Sequence, residues 1–258
     1  MLVSLKYGLK HYRLNPVLEQ IYQFRFESII TDFSNPSKTE TSKYTRFVNI
    51  TLLEQNEIKA AYQLFTKKMI INDGEVVQNG FLIKQLCYAF DELIIVINYK
   101  GKIIQVHNIK EVKKRWEIDR LELIKDYEGY EAENYFSAIS DLLNNEDDLI
   151  AYLSDYKMFG LYFHSLFGTN KLWELPIIRE KTLQDYAGKT ITESINPEKR
   201  EAVVYPIIGT VSTESKPIEN GFDKYEGMLT YDDYQLQEAY LETESEQRNI
   251  KYGILLIG

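Results

Sequence analysis

The chain has 258 residues and a formal net charge of -9, and at that length it can bury roughly three quarters of its unfolded surface without a staple. A single cysteine, Cys87, excludes an internal disulfide framework and a cysteine-rich zinc site, and its neighbours Leu86, Tyr88 and Phe90 mark it as a buried structural thiol. The apolar run before Lys6 is too short for a signal peptide and no stretch approaches the ~18 residues of a membrane span, so the expectation is a soluble, cytoplasmic protein.

Charge is unevenly spread. Residues 1–130 hold 19 Lys and Arg against 16 Asp and Glu, whereas residues 201–250 hold 3 bases against 11 acids. An acidic surface repels phosphate backbones, which argues against nucleic acid as a partner.

In chain order, Asn15 and Pro16 read as cap and first position of a helix over residues 16–22. Residues 23–33 alternate, with Phe24, Phe26 and Ile30 opposed to Arg25, Glu27 and Thr31, and residues 45–53 alternate through Val48, Ile50 and Leu52; both predict strands. Residues 57–65 predict a short helix and 68–72 a strand, while 81–90 fit strand and helix equally. The sequon Asn49-Ile50-Thr51 reads as ordinary strand.

The most apolar and best punctuated stretch is residues 93–116, LIIVINYKGKIIQVHNIKEVKKRW. Lys100-Gly101 predicts a two-residue hairpin with Tyr99 facing Lys102, Ile97 facing Ile104, Ile95 facing Val106 and Ile94 facing His107. Asn108 with Glu111 three residues on predicts a capping box and a helix from Ile109, its core stripe formed by Ile109, Val112 and Trp116. Beyond Trp116, Ile118, Leu121, Leu123 and Ile124 fit a continued helix or a strand. Ala132, Tyr135, Phe136, Ile139, Leu142 and Leu143 make the next helical stripe. Asn145 caps a third helix, and residues 149–167, apolar almost all round and interrupted by Gly160, predict a buried segment of two short helices or one kinked one.

Residues 172–178 and 202–211 predict strands joined by a polar segment. Residues 225–231 and 234–242 predict a hairpin across Asp232-Asp233, with Tyr231 facing Tyr234, Leu229 facing Leu236 and Tyr225 facing Tyr240; a helix over 234–247 is the alternative. Residues 250–257 close the chain as a strand. Short links between strands favour antiparallel pairing, so the expected class is α+β, a curved, mostly antiparallel sheet packed on a central helical segment. Its segments, 1–130, 131–168 and 169–258, belong to one continuous domain.

The phrase Y-K-G-K-I-I-Q-V-H-N-I-K-E-V-K-K-R-W at residues 99–116, with the hairpin over 225–242, resembles uncharacterised bacterial lipoprotein-like proteins. The resemblance implies a half-barrel sheet wrapped on helices and carriage of a lipid ligand; those proteins usually bear an export signal, which is not legible here.

Chemical motifs are sparse. Gly188-Lys189-Thr190 is no phosphate loop, because position 183, five before Gly188, is Leu rather than Gly. His11, His107 and His164 form no paired metal spacing, Asp147-Asp148 reads as a helix N-terminus and Asp232-Asp233 as a turn, and Trp116 and Trp173 read as core. No catalytic residue, metal or cofactor is assigned. The leading functional expectation is a non-catalytic binding protein, of adaptor, chaperone or immunity type. It would hold a basic protein partner on Tyr225, Tyr231, Asp232, Asp233, Tyr234, Glu238, Tyr240 and Glu242. Tyrosine supplies rigid contact area and acids supply steering. The alternatives are a carrier of an apolar small molecule between sheet and helices, and an enzyme assembled from scattered residues.

Overall fold

Alternation writes the first two strands. In the computed structural model, which describes residues 16–35, 37–73, 90–163, 177–186, 188–196, 204–211, 222–232 and 235–258, β1 (Ile21–Asp32) sends Tyr22, Phe24 and Phe26 to the interior, and β2 (Glu40–Gln55) sends Val48, Ile50 and Leu52. Residues 16–20 are not the expected helix. Leu18 forms a bridge to Leu52, and the Glu19 amide donates to the Leu52 carbonyl at 2.8 Å, so pairing with β2 takes the backbone groups a helix would use.

Residues 59–73, expected as helix then strand, form one strand, β3 (Lys59–Asp73). The Asn56 side chain accepts the amides of Ile58 and Lys59, closing a tight turn that sets Ala60, Tyr62 and Leu64 alternating into the core. Residues 81–89, including Cys87, lie outside the described residues.

The central hairpin, β4 (Glu92–Asn98) and β5 (Ile103–Val106), keeps the expected pairs Ile95 with Val106 and Val96 with Gln105, and the His107 amide donates to the Ile94 carbonyl. Ile97, however, pairs with Ile103, leaving Ile104 45% exposed. The connection is one residue longer than expected. Asn98 accepts the amides of Lys100 and Lys102 on its side chain, and Gly101 takes a φ of 80°, the left-handed residue of a three-residue turn with a bulge.

Helix α1 (Ile109–Asp126) begins where expected and runs past Trp116, burying Val112, Trp116 and Leu123. The capping box does not form. The Asn108 side chain turns back to β4, accepting the Ile94 amide at 2.7 Å and donating to the Glu92 carbonyl at 3.1 Å. Helix α2 (Tyr130–Asn144) buries Ala132, Phe136 and Leu143. Asn145 caps α3 (Glu146–Leu153), accepting the amides of Asp147 and Asp148. The apolar run then leaves the helix at Ser154 and continues as packed turns through Phe163, with Tyr156, Phe159, Leu161 and Tyr162 buried. Gly160 is required there, because a Cβ would run into the Ser154 carbonyl.

The second half is a meander: β6 (Ile177–Leu183), β7 (Lys189–Ile195), β8 (Val204–Val211), β9 (Lys224–Asp232), β10 (Gln235–Ser245) and β11 (Arg248–Leu256). β7 falls where a polar link was expected, and Gly188, with φ at 73°, is the turn that starts it. Together the strands form one open antiparallel sheet, with β5 and β6 at its edges and β1 paired to β11 in its middle. The chain therefore passes from one edge to the other through α1 to α3 and the turns after them, and that passage covers the inner face.

Adjacent residues of the passage show that the sheet curls. Arg46 on β2 donates to the Lys157 carbonyl, while the neighbouring Tyr156 hydroxyl meets Glu193 on β7, six strands away. A flat sheet would separate those strands by roughly 29 Å at ~4.8 Å per strand, a span these side chains reach only when stretched in line.

Candidate functional site

The expected tyrosine-rich acidic face is not one face. In the observed register Asp232 pairs with Gln235 and Tyr231 with Leu236, and a bulge between Leu236 and Glu238 shifts the rest, so that Leu229 meets Ala239, Tyr225 meets Thr243 and Tyr240 meets Met228. The net offset from the expected pairing is odd, and an odd slip moves a side chain to the opposite face. Tyr225 and Tyr231 are buried on the inner face; Tyr240, Glu238, Glu242 and Asp232 lie on the outer one. Asp233 and Tyr234 lie outside the described residues.

On the outer face Glu242 is the hub of a polar network. It accepts hydrogen bonds from Lys224 at 2.7 Å, Asn249 at 2.9 Å and the Tyr240 hydroxyl, with Lys251 at 3.4 Å. Burial opposes its ionisation, but the bonds from Lys224, Tyr240 and Asn249 and the charge of Lys251 hold its carboxyl down at about 2. Two lysines thus offset part of the acidity that the sequence places here.

Under the inner face lies a second polar cluster that sequence reasoning missed. Glu193 is 0% exposed. It sits directly across from Arg179 in the β6–β7 register, accepts its Nε at 2.5 Å, and accepts the hydroxyls of both Tyr156 and Tyr225; Arg179 also donates to the Tyr156 hydroxyl at 2.8 Å. Burial alone would raise the Glu193 pKa, and the Arg179 charge with the two phenols overcomes it, so the carboxylate stays ionised. Lys181 donates to the Ser154 carbonyl at 2.7 Å and lies 4.3 Å above the Tyr156 ring. Desolvation, then the neighbouring Arg179 charge, lowers its amine to about 8. Every member of the cluster is engaged by protein and the Glu193 carboxylate is closed to solvent. It therefore joins the passage to the sheet rather than offering acid–base chemistry.

His107 is exposed, Trp116 is buried and donates to Ser140 Oγ at 2.8 Å, and Asp147 and Asp148 start α3. His11, His164 and Trp173 lie outside the described residues. Among the described residues no group of three His, Cys, Asp or Glu is arranged to hold a metal, and no helix is long and apolar enough to cross a membrane.

Open space lies in the V between α1 and α2, in a cleft of about 660 Å³. Ile124, Tyr127 and Phe136 give it apolar walls, and Arg120, Glu133, Ser137 and Ser140 give it polar ones; Gly129, with φ at 104°, turns the chain at its closed end. Between the sheet and the passage, Phe24 packs edge to face on Tyr162 and Phe26 on Phe159. A signal for the cleft was present in the sequence. Ile124 falls off the stripe through Val112, Trp116 and Leu123, an apolar residue that the core of α1 does not use and that lines the cleft.

No family model and no curated protein matches the chain. Among solved structures, a chain from a study of lipid–protein interactions in lipovitellin aligns over 94% of this chain and 25% of its own, at 9% identity and a TM-score of 0.46. A Vibrio parahaemolyticus domain described as of outer membrane lipoprotein-sorting type aligns over 98% of this chain and 91% of its own, at 8% identity and a TM-score of 0.22. This chain thus spans about a quarter of the lipovitellin chain, and likenesses at these scores carry no argument about what it binds.

Proposed function

We propose that the protein is a non-catalytic binding protein that takes up an amphiphilic small molecule, an apolar chain with a polar end, in the cleft between α1 and α2. The make-up of that cleft carries the reading: a concave space of about 660 Å³ with apolar side chains on its walls and a few polar groups at fixed positions. That volume and mixture are those of small-molecule sites in general. Trp116 reports on it, being bonded to the lining residue Ser140. In a Trp173→Phe background, which leaves Trp116 as the sole indole, a fatty acid brominated on its chain and kept below its micelle concentration should quench emission saturably, and Ile124→Asp should abolish the effect. Absence of saturable quenching, or quenching that Ile124→Asp leaves intact, overturns the proposal.

A second reading is favoured by the outer face of β9 and β10, where Asp232 and Glu238 are exposed on the same side as Tyr240. This reading makes that face a contact for a basic polypeptide, without the buried Tyr225 and Tyr231. A lysine-rich peptide should bind there at low salt, and Asp232→Lys with Glu238→Lys should remove the binding. Retention of the peptide by that double variant excludes the face.

A further inference from the structure

Five residues of α1 recur at spacings of four, four, three and four: Lys110, Lys114, Ile118, Leu121 and Lys125. At about 3.6 residues per turn they fall within about 80° of arc, on the side away from Val112, Trp116 and Leu123. All five are exposed, Ile118 at 55% and Leu121 at 60%. Single exposed apolar residues are ordinary. Two of them set between lysines on one stripe, with no acid among the five, are the composition of a helix that lies in a membrane interface.

The charge of this stripe runs against that of the chain, whose net charge is -9. Glu111, Glu117 and Glu122 flank it; Glu117 is held by Arg120 at 3.0 Å and Glu122 by Lys125 at 2.7 Å, so Lys110 and Lys114 against Glu111 leave this side of the helix a net positive charge. Lys110 and Lys114 make no ion pair among the described residues. A second copy docked face to face would set lysine against lysine. An anionic lipid surface instead pairs with the lysines and accepts Ile118 and Leu121 among its acyl chains.

We infer that the outer stripe of α1 is a docking surface for an anionic lipid bilayer, with the helix lying along the headgroups. The inference rests on these five residues and is independent of the cleft. Ile124, which lines the cleft, is also exposed and lies next to Leu121 around the helix, so docking brings the cleft to the bilayer. That adjacency gives an amphiphile a route from one to the other.

Flotation of the full chain with vesicles of phosphatidylcholine, with and without a third phosphatidylglycerol, tests the inference. The chain should float with the anionic vesicles only and be released at high salt. Each lysine near such a surface is worth about fivefold in partitioning, so Lys110→Glu with Lys114→Glu should lower it more than tenfold. Leu121→Asp should lower it by a comparable factor. No flotation, equal binding to neutral vesicles, or undiminished binding by the lysine variant overturns the inference; so does a dimer in solution that Leu121→Asp disperses, which would give the stripe to a second copy. The lysine variant should keep the quenching of Trp116 by the brominated fatty acid, measured without vesicles. Loss of quenching in a protein that still floats removes the cleft and leaves the docking surface standing.

Discussion

Along β1 to β5 the inner face is mostly hydrocarbon and aromatic ring, with Phe24, Val48, Ile50, Tyr62, Leu93 and Ile95, and it carries the polar side chains Ser28 and Arg46 as well. Along β6 to β9 the same face carries Arg179, Lys181, Glu193 and Tyr225 among Leu183, Ile191 and Leu229. Both halves are covered by one continuous stretch of chain. Hydrocarbon needs only to be out of water and well packed, so the first half tolerates any arrangement that fills space. A buried ion needs named partners at fixed distances, so the second half is specified by a few bonds between the passage and the strands.

The largest effect that would break this comparison lies in the first half. Ile97→Asp puts a carboxylate where no partner waits and should lower stability by on the order of 4 kcal/mol in urea unfolding; an unchanged midpoint would contradict the placement of Ile97 in the core. In the second half, Arg179→Met strands the Glu193 carboxylate and should cost about 3 kcal/mol, most of it recovered when Glu193→Leu is added. If Arg179→Met is harmless, the cluster does not hold this half together. Gly160→Ala, in the passage that serves both halves, should cost about 2 kcal/mol through its clash with Ser154, as read from the thermal midpoint.

The smallest effect belongs to the outer face. Glu242 titrates in the folded chain at about 2, below its ordinary value of 4.5. A carboxyl depressed by folding adds stability that is fully present above the unfolded pKa and disappears as pH falls through the folded one. Glu242→Gln should therefore be less stable than the parent by about 1 kcal/mol at neutral pH, with the gap closing between pH 4.5 and 2. A gap constant across that window would show that the charge contributes nothing.

The same contrast explains what could be read from the residues alone. Phe24, Phe26, Val48, Ile50 and Leu52 announce their face because burial and hydropathy agree on it. β7 reads as a polar link because the inner position between Ile191 and Ile195 is Glu193, whose burial depends on Arg179, Tyr156 and Tyr225, residues 14, 37 and 32 positions away. Registers failed for a local reason. The Asn98 side chain lengthens one turn and a bulge after Leu236 shifts another hairpin, and each displaces pairs that hydropathy alone cannot order. Of the cleft, only Ile124, off the core stripe of α1, was legible, since the opposite wall comes from another helix.

The pairing of β1 with β11 sets the order in which the molecule can be assembled. Every other pairing joins strands that are neighbours in sequence, whereas this one brings Asp32 beside Arg248, 216 residues away. Closing a loop of that size costs about 3 kcal/mol more than closing a five-residue hairpin loop. Each meander can repay its own turns as it forms, but the seam is repaid only once both have formed. We predict that in pulsed hydrogen exchange during refolding the amides along the β1–β11 seam gain protection last, later than those between β2 and β3. Seam protection that appears first would mean that the long loop closes before either half exists.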